Sequence, residues 1–376
     1  MANGGSYAFS QDGQYYAFCG FNGKLQIWET ANSRPKCEYI PNRHLSSPCS
    51  VIQWISVNLQ SANNMFPSQW KKRKRKSISE DIDHKIVAIG LSDGNVALFN
   101  VSSTLVTILK NDNAAACTAI TWSAASGLIT ASDDYHLMEW NIQDSRIKCK
   151  WKSGKMKVTA LAVPVDGKSL LAAERTIKWW DLTTKQLIRT FTGHIDQVTS
   201  LHPVKIDDTT SYLISSSRSD NYLSVWAMDQ HKNDKVSIAT LLLHDEAVFV
   251  STLVVEQLQI FVLATTKLGQ AQLFKYQPNG RTKPLKPSLS ITVTSNIIQE
   301  NINEQIPIVA GHLTDDKKLL LAFGDRLMFE KVVPDFSAKV QCLVRSKKMK
   351  KRKEEEIIKM MRTEVEENCY FAVGDH

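Results

Sequence analysis

Residues Val158 to His194 read as one folding unit. Val158-Thr-Ala-Leu-Ala-Val163 alternates, Pro164-Val-Asp-Gly-Lys168 is a turn, and Ser169-Leu-Leu-Ala-Ala173 is a second apolar strand. Thr176-Ile-Lys-Trp-Trp180 makes a third strand and Leu187-Ile-Arg-Thr-Phe191 a fourth, followed by Thr192-Gly-His194. Asp-Gly and Pro supply the turn torsions, while β-branched and aromatic residues suit a pleated, half-buried surface.

Outward from this unit, its third strand recurs. Asn22-Gly-Lys-Leu-Gln-Ile-Trp28, Asp93-Gly-Asn-Val-Ala-Leu-Phe99, Asp134-Tyr-His-Leu-Met-Glu-Trp140, Glu174-Arg-Thr-Ile-Lys-Trp-Trp180 and Asp220-Asn-Tyr-Leu-Ser-Val-Trp226 all run from a polar turn to an aromatic end. Weaker copies end at Phe274 and Phe329. Successive aromatics are 71, 41, 40, 46, 48 and 55 residues apart. All but the first interval lie at or somewhat above the ~40–45 residues of a four-stranded propeller blade. The first is long because it holds Asn58 to His84.

The pattern resembles the WD repeat, most explicitly at Gly193-His194 and Trp180-Asp181. It predicts an all-β, seven-bladed WD-repeat β-propeller over residues 1–345. A basic loop over 58–84 is expected to protrude between the first two blades, and a charged helical or disordered tail is expected over 346–376. Tyr7 to Ser10 is the expected first inner strand, and Val340 to Val344 the natural fourth strand of the last blade. Ala247 to Thr266, the most apolar stretch, is broken by Glu256, Gln257 and Gln259, which suits a strand pair better than a membrane span.

The formal charge of +8 comes from 46 Lys and Arg against 38 Asp and Glu. Two runs account for it: Lys71, Lys72, Arg73, Lys74, Arg75 and Lys76, then Lys347, Lys348, Lys350, Lys351, Arg352 and Lys353. Without these twelve, 34 basic residues face 38 acidic ones, so the body is mildly acidic. The apolar share of 43% with 22% charged residues is ordinary globular composition, which excludes disorder throughout. Met1 to Tyr7 show no signal-peptide pattern. Seven cysteines without a Cys-x-x-Cys pair argue for reduced thiols in a cytosolic or nuclear protein, and against a zinc knuckle.

Motifs for chemistry are weak. Ala162 to Ser169 fits a relaxed phosphate-loop pattern, but Pro164 removes an N–H donor and Leu170 onward continues as strand, so the segment is expected to be a turn. His194, the Ser215-Ser-Ser217 run, Asp220 and Trp226 could be mistaken for a hydrolytic triad. The stronger reading is a structural blade network of His194, Ser217, Asp220 and Trp226, of the kind WD-repeat blades bury to fix one packing arrangement. An eroded copy is expected at Ser132, Asp134 and Trp140. No catalytic, cofactor-binding or metal-binding residue is assigned, and no enzyme activity, cofactor, membrane or small-molecule substrate is expected.

The run Lys71 to Lys76 follows Trp70 and precedes Ser77-Ile-Ser79-Glu-Asp81. Six consecutive like charges cannot enter a core. A nuclear-import signal, an RNA-phosphate contact and a plain solvated loop all fit, and the first two are compatible. In the tail, Ile357, Ile358, Met361 and Val365 form a helical stripe supported by Glu355 and Lys359, in keeping with a charged surface helix or a partner helix.

Several further segments are distinctive: Leu25 to Asn32, Glu38 to Ser46, Lys71-Lys-Arg-Lys74, Ser132 to Asn141, Lys148 to Lys152, Arg175 to Trp179, Phe191 to His194 and Cys342-Leu-Val-Arg345. On these, over about residues 7–345, the chain resembles the WD repeat-containing protein 43 family, nucleolar subunits of the UtpA (t-UTP) subcomplex of the small-subunit processome. The resemblance implies a nucleolar scaffold in ribosome biogenesis that joins other UtpA WD-repeat subunits on nascent pre-rRNA. It also implies contacts with the 5′ external spacer, a part in pre-rRNA processing and a link to the rDNA transcription machinery. The family's C-terminal helical domain and acidic tail have no counterpart here, and the ending after Arg345 does not resemble the family. A substrate receptor of a ubiquitin ligase or a signalling adaptor is the alternative. Such receptors often carry Trp-Asp-x-Arg, whereas Trp180-Asp-Leu-Thr183 lacks the arginine.

Overall fold

The computed structural model describes residues 6–19, 24–40, 48–57, 84–207, 210–229, 236–255, 259–278, 284–297, 302–306, 308–314, 319–323, 328–332 and 342–343. Every regular element among them is a β-strand. The first sheet joins β1 (Ser6–Phe9), β2 (Tyr15–Cys19), β3 (Leu25–Glu29) and β4 (Arg34–Tyr39). The second joins β5 (Cys49–Val57), β6 (His84–Leu91), β7 (Val96–Asn100) and β8 (Val106–Leu109). The third joins β9 (Cys117–Ser123), β10 (Gly127–Ser132), β11 (His136–Asn141) and β12 (Arg146–Lys152). The fourth joins β13 (Ala160–Ala162), β14 (Ser169–Ala173), β15 (Ile177–Asp181) and β16 (Leu187–Phe191).

The fifth sheet joins β17 (Val198–Lys205), β18 (Ser211–Ser217), β19 (Tyr222–Ala227) and β20 (Ala239–Leu242). The sixth joins β21 (Ala247–Val255), β22 (Gln259–Thr266), β23 (Ala271–Tyr276) and β24 (Leu289–Ile297), with β25 (Ile302–Ile306) paired to the far half of β24. The last shows three strands, β26 (Ile308–Leu313), β27 (Leu319–Phe323) and β28 (Met328–Val332). The chain is therefore a β-propeller with six four-stranded blades. A fourth strand for the seventh sheet is not among the described residues.

Each aromatic-ended segment of the repeat is the third strand of its sheet, from β3 to β28. The second strands explain why so many small apolar runs occur. Ser169 to Ala173 in β14 and Gly127 to Ser132 in β10 are buried at every position, because each is covered by a sheet on both faces. Apolar clusters fill the seams between neighbouring sheets all the way round. One seam packs Trp179 and Phe191 of the fourth sheet against Trp226 of the fifth, and the closing seam packs Phe9, Tyr16 and Trp28 against Ala310, Leu320 and Ala322.

A recurring bulge reinforces these seams. Ser50, Thr118 and Thr159, each near the start of an inner strand, donate their hydroxyls to Cys117 O, Val158 O and Val198 O of the next sheet. The register of β5 skips Ser50, and that of β9 skips Thr118. The extra residue leaves the ladder and becomes free to reach sideways.

Two expectations need correction. The inserted basic segment does not lie between the first two blades, since β5 and β6 pair along their length and Val57 is opposite His84. The insertion therefore prolongs a connection inside the second blade, and His84 belongs to β6. Nor does the Val340 to Val344 region complete the last blade. Its strand β29 (Cys342–Leu343) pairs in parallel with Ile291 and Thr292 of β24, in the sixth sheet. Residues 58–83 and the tail from 344 lie outside the described residues.

The apparent phosphate loop is a turn. β13 ends at Ala162 and β14 starts at Ser169, Gly167 sits at a φ of 66°, and the Lys168 N–H donates to Asp166 Oδ1 at 3.0 Å. No helix follows to present N–H groups to a phosphate.

Candidate interaction scaffold

Antiparallel order fixes two faces. Connections from first to second and from third to fourth strands emerge on one face of the disc; those from second to third strands and between blades emerge on the other. The basic insertion leaves from the first of these faces. Its base is clamped: Lys85, next to it on β6, donates to Asp12 Oδ2 at 2.5 Å and Gln14 Oε1 at 2.9 Å, and lies 4.5 Å from the Tyr15 ring centroid. Lys71, Lys72, Arg73, Lys74, Arg75 and Lys76 themselves lie outside the described residues.

On the other face, His194 hangs from the loop between β16 and β17. Its Nδ1 is 2.8 Å from Asp220 Oδ2 and its Nε2 is 2.7 Å from Ser215 Oγ. Trp226 Nε1 donates to the same Ser215 Oγ at 2.8 Å. All four side chains are buried. Burial pushes the His194 imidazole below its ordinary value, against the opposing pull of Asp220. A neutral imidazole donating through Nδ1 and accepting through Nε2 satisfies the carboxylate and the serine together.

The serine of this network is Ser215, not Ser217. Ser217 donates instead to Arg218 O at 3.1 Å. The reason is strand register: Ser215 lies opposite Ser224, which sets Trp226 on the adjacent diagonal of the same face, whereas Ser217 is two positions further along. The third blade repeats the geometry. Trp140 Nε1 donates to Thr130 Oγ1 at 2.9 Å, not to Ser132, and Thr130 is opposite Met138. Ser132 Oγ donates to Asp134, and Lys150 reaches Asp134 Oδ2 at 2.9 Å. Burial opposes ionisation of Asp134, but these two hydrogen bonds outweigh it and hold the carboxyl down at about 2.

The fourth blade solves the same problem with other residues. Ala172 occupies the place of Thr130 and Ser215, so Trp180 Nε1 has no partner. Here Lys178 Nζ donates to Glu174 Oε1 at 2.8 Å and to Ser153 O at 2.9 Å, while Ser153 Oγ donates to Glu174 Oε1 at 3.2 Å. Glu174 is buried, and one ion pair with two further hydrogen bonds replaces the histidine network at the seam. The spacing of His, Ser and Asp in the sequence passes over Thr130, does not tell Ser215 from Ser216 and Ser217, and passes over Glu174 and Lys178. Cross-strand register to the terminal tryptophan is the signal that finds the first two.

These arrangements tie loops to strands through buried side chains. Among the described residues, no group of three or more His, Cys, Asp or Glu could hold a metal ion. What the fold presents is a rigid disc with two loop-bearing faces, and such surfaces dock partners.

Comparison with known proteins agrees with this architecture. Residues 185–227, which run from the turn before β16 to the end of β19 and include the whole His194 network, match the WD domain, G-beta repeat. Human WD repeat-containing protein 43 is 34% identical over 361 residues, covering 90% of this chain and 53% of that protein. Protein SPA1-RELATED 3 of Arabidopsis thaliana is 25% identical over 50% of this chain and 26% of its own length. Mouse striatin is 23% identical over 56% of this chain and 25% of its own length. A chain in the crystal structure of the mitotic checkpoint complex superposes with a TM-score of 0.60 at 12% identity, covering 88% of this chain and 87% of that one, which is a likeness of fold alone. The chain spans about half the length of the human relative. With its propeller, its WD domain and that identity across nine-tenths of its residues, it is a WD-repeat scaffold that belongs to the WD repeat-containing protein 43 family.

Proposed function

We propose that this chain is a non-enzymatic nucleolar scaffold in ribosome biogenesis. In this reading it joins other UtpA WD-repeat subunits on nascent pre-rRNA, touches the 5′ external spacer and links assembly to rDNA transcription. One observation carries the proposal: identity to human WD repeat-containing protein 43 extends over nearly the whole propeller, far beyond the single matched repeat. The basic run at Lys71 to Lys76 supports it, as an import signal and as exposed positive charge for phosphate.

Affinity purification of this chain, with identification of the proteins and RNA that come with it, tests the reading. Recovery of WD-repeat processome subunits and 5′ spacer RNA supports it; recovery of ubiquitin-ligase subunits in their place overturns it. Changing Lys71–Lys76 to Ala is expected to move a fluorescent fusion out of the nucleus, and an unchanged nucleolar signal would discard the import role. RNA affinity is expected to fall steeply with salt, because phosphate contacts release counterions.

A further inference from the structure

Tyr135 occupies a backbone conformation that its neighbours give to smaller residues. Its φ is 68°, in the turn between β10 and β11. The same position, five residues before the terminal aromatic of the blade, is Gly94 in the second blade and Gly269 in the sixth, at φ of 86° and 70°. Gly94, Tyr135 and Gly269 each donate the N–H to the carbonyl three residues back, which fixes the correspondence. A bulky residue in the left-handed region is strained, and such strain collects where a side chain is needed for a purpose. The Tyr135 ring serves no core, being 38% exposed on the face opposite the basic insertion.

Three loops are locked together around it. The Ser153 N–H donates to Tyr135 O at 2.9 Å, Lys157 pairs with Asp133 at 3.0 Å, and Lys178 reaches across to Ser153 O. The segment Ser153 to Lys157 is thereby fixed between the turn of the third blade and the Glu174 turn of the fourth. It presents Met156, which is 44% exposed, between Lys155 and Lys157. Lys152, Lys155 and Arg175 are exposed beside it and, among the described residues, have no carboxylate partner.

We propose that Tyr135, Met156, Lys152, Lys155 and Arg175 form a docking surface for an acidic peptide segment with interspersed apolar side chains, on the seam between the third and fourth blades. Tyrosine, methionine and arginine are the residues that interface centres favour. The three uncompensated cations set the sign of the partner, and the hydrogen-bonded loops need little ordering on binding. A nucleic acid fits less well: the other local cations are already paired, and the propeller body is mildly acidic once the two basic runs are set aside. The inference deepens the scaffold reading above, but it does not depend on the nucleolar assignment.

Selection of short random peptides displayed on phage against the immobilised full chain tests it, followed by fluorescence anisotropy with the recovered peptides and with oligouridine. Recovered peptides are expected to combine Asp or Glu with Leu, Phe or Met. Their affinity is expected to fall at least about tenfold in Lys155→Glu/Arg175→Glu and in Tyr135→Gly, which removes the ring while relieving the backbone. Lys71–Lys76→Ala is expected to leave peptide binding unchanged, so failure of the import and RNA reading stays separate from failure of this one. Recovery of peptides without acidic bias, no recovery, binding indifferent to these substitutions, or oligouridine bound through the same residues would each overturn the proposal.

Discussion

The ammonium of Lys178 fills the space that a side chain on Gly154 would need: a Cβ built on Gly154 would stand 2.1 Å from Lys178 Nζ and 2.6 Å from Glu174 Oε1. Counting from the strand pairs Leu137 with Trp151 and Ile177 with Phe191, Gly154 holds the place in the fourth blade that His194 holds in the fifth. The fifth blade takes a histidine from the loop before it; the fourth uses a lysine from its own third strand. Gly154→Ala is therefore expected to displace Lys178 and strand the buried Glu174 carboxylate. The expected cost is about 1–3 kcal/mol, the range for a buried polar group left without its partner. Urea denaturation checks it, and the cost should shrink in a Glu174→Gln background if the lost ion pair is its cause.

Ser215→Ala and Ser217→Ala separate register from composition. Removing the Ser215 hydroxyl leaves His194 Nε2 and Trp226 Nε1 both buried without a partner, at an expected cost of roughly 2–4 kcal/mol for two orphaned groups. Ser217 contributes one hydrogen bond to a neighbouring carbonyl, so its alanine variant should lose under about 1 kcal/mol. Equal losses from the two would place the serine of the network wrongly. Thr130→Val should repeat the Ser215 result on a smaller scale, since only Trp140 Nε1 depends on it.

How much could be read in advance follows from the range over which each feature is determined. The third strands were legible because a turn, a period-two run and a terminal aromatic all lie within a few residues of one another. His194, Asp220 and Trp226 were legible as partners because the repeat spaces them. Ser215 was not, because three serines stand in a row and only pairing with β19 tells which one shares a face with Trp226. Nothing local marks Lys178 and Glu174 as a buried pair; the room for the Lys178 ammonium depends on Gly154, in a different repeat unit. The place of the basic insertion was misread because β5 and β6 are joined across it, so the hairpin is visible only once Val57 and His84 are paired.

Stability should fall with acid in a window set by two histidines. Burial lowers the His202 imidazole to about 4, and His194 is also held below its ordinary value. A group with a lowered folded pKa binds fewer protons folded than unfolded. Its stabilising effect is complete above about 6.5, the unfolded value, and is lost as pH falls towards the folded pKa. Denaturation midpoints are expected to be flat from about pH 8 to 7 and to decline from about 6.5 to 5. Asp134, held at about 2, and Glu139, lowered by Lys148 and Lys185 in spite of burial, lose their contribution only at lower pH. His202→Gln should flatten the decline, and a profile unchanged in that variant would remove His202 as a cause.

Closure of the ring depends on a contact between its two ends in sequence. His312 of β26 stacks on Phe9 at a ring-centroid distance of 5.7 Å, and its Nε2 lies 3.1 Å from Gln11 O. Gly13 lies against the same ring: its φ is 67°, and a Cβ there would approach His312 Cδ2 to 2.9 Å. The first sheet also packs Phe9 and Tyr16 into the closing seam and Cys19, Leu25 and Ile27 into the next, so losing the imidazole should loosen the junction without unfolding the disc. His312→Ala is expected to speed amide hydrogen exchange in β1 and β26, leaving β10, β14 and β18 protected, because local opening requires far less free energy than global unfolding. Gly13→Ala should produce the same local pattern by pushing the ring aside and straining its own backbone. Uniform loss of protection across all sheets would mean that the junction and the disc unfold as one unit, and that this contact is no weaker than the seams it closes.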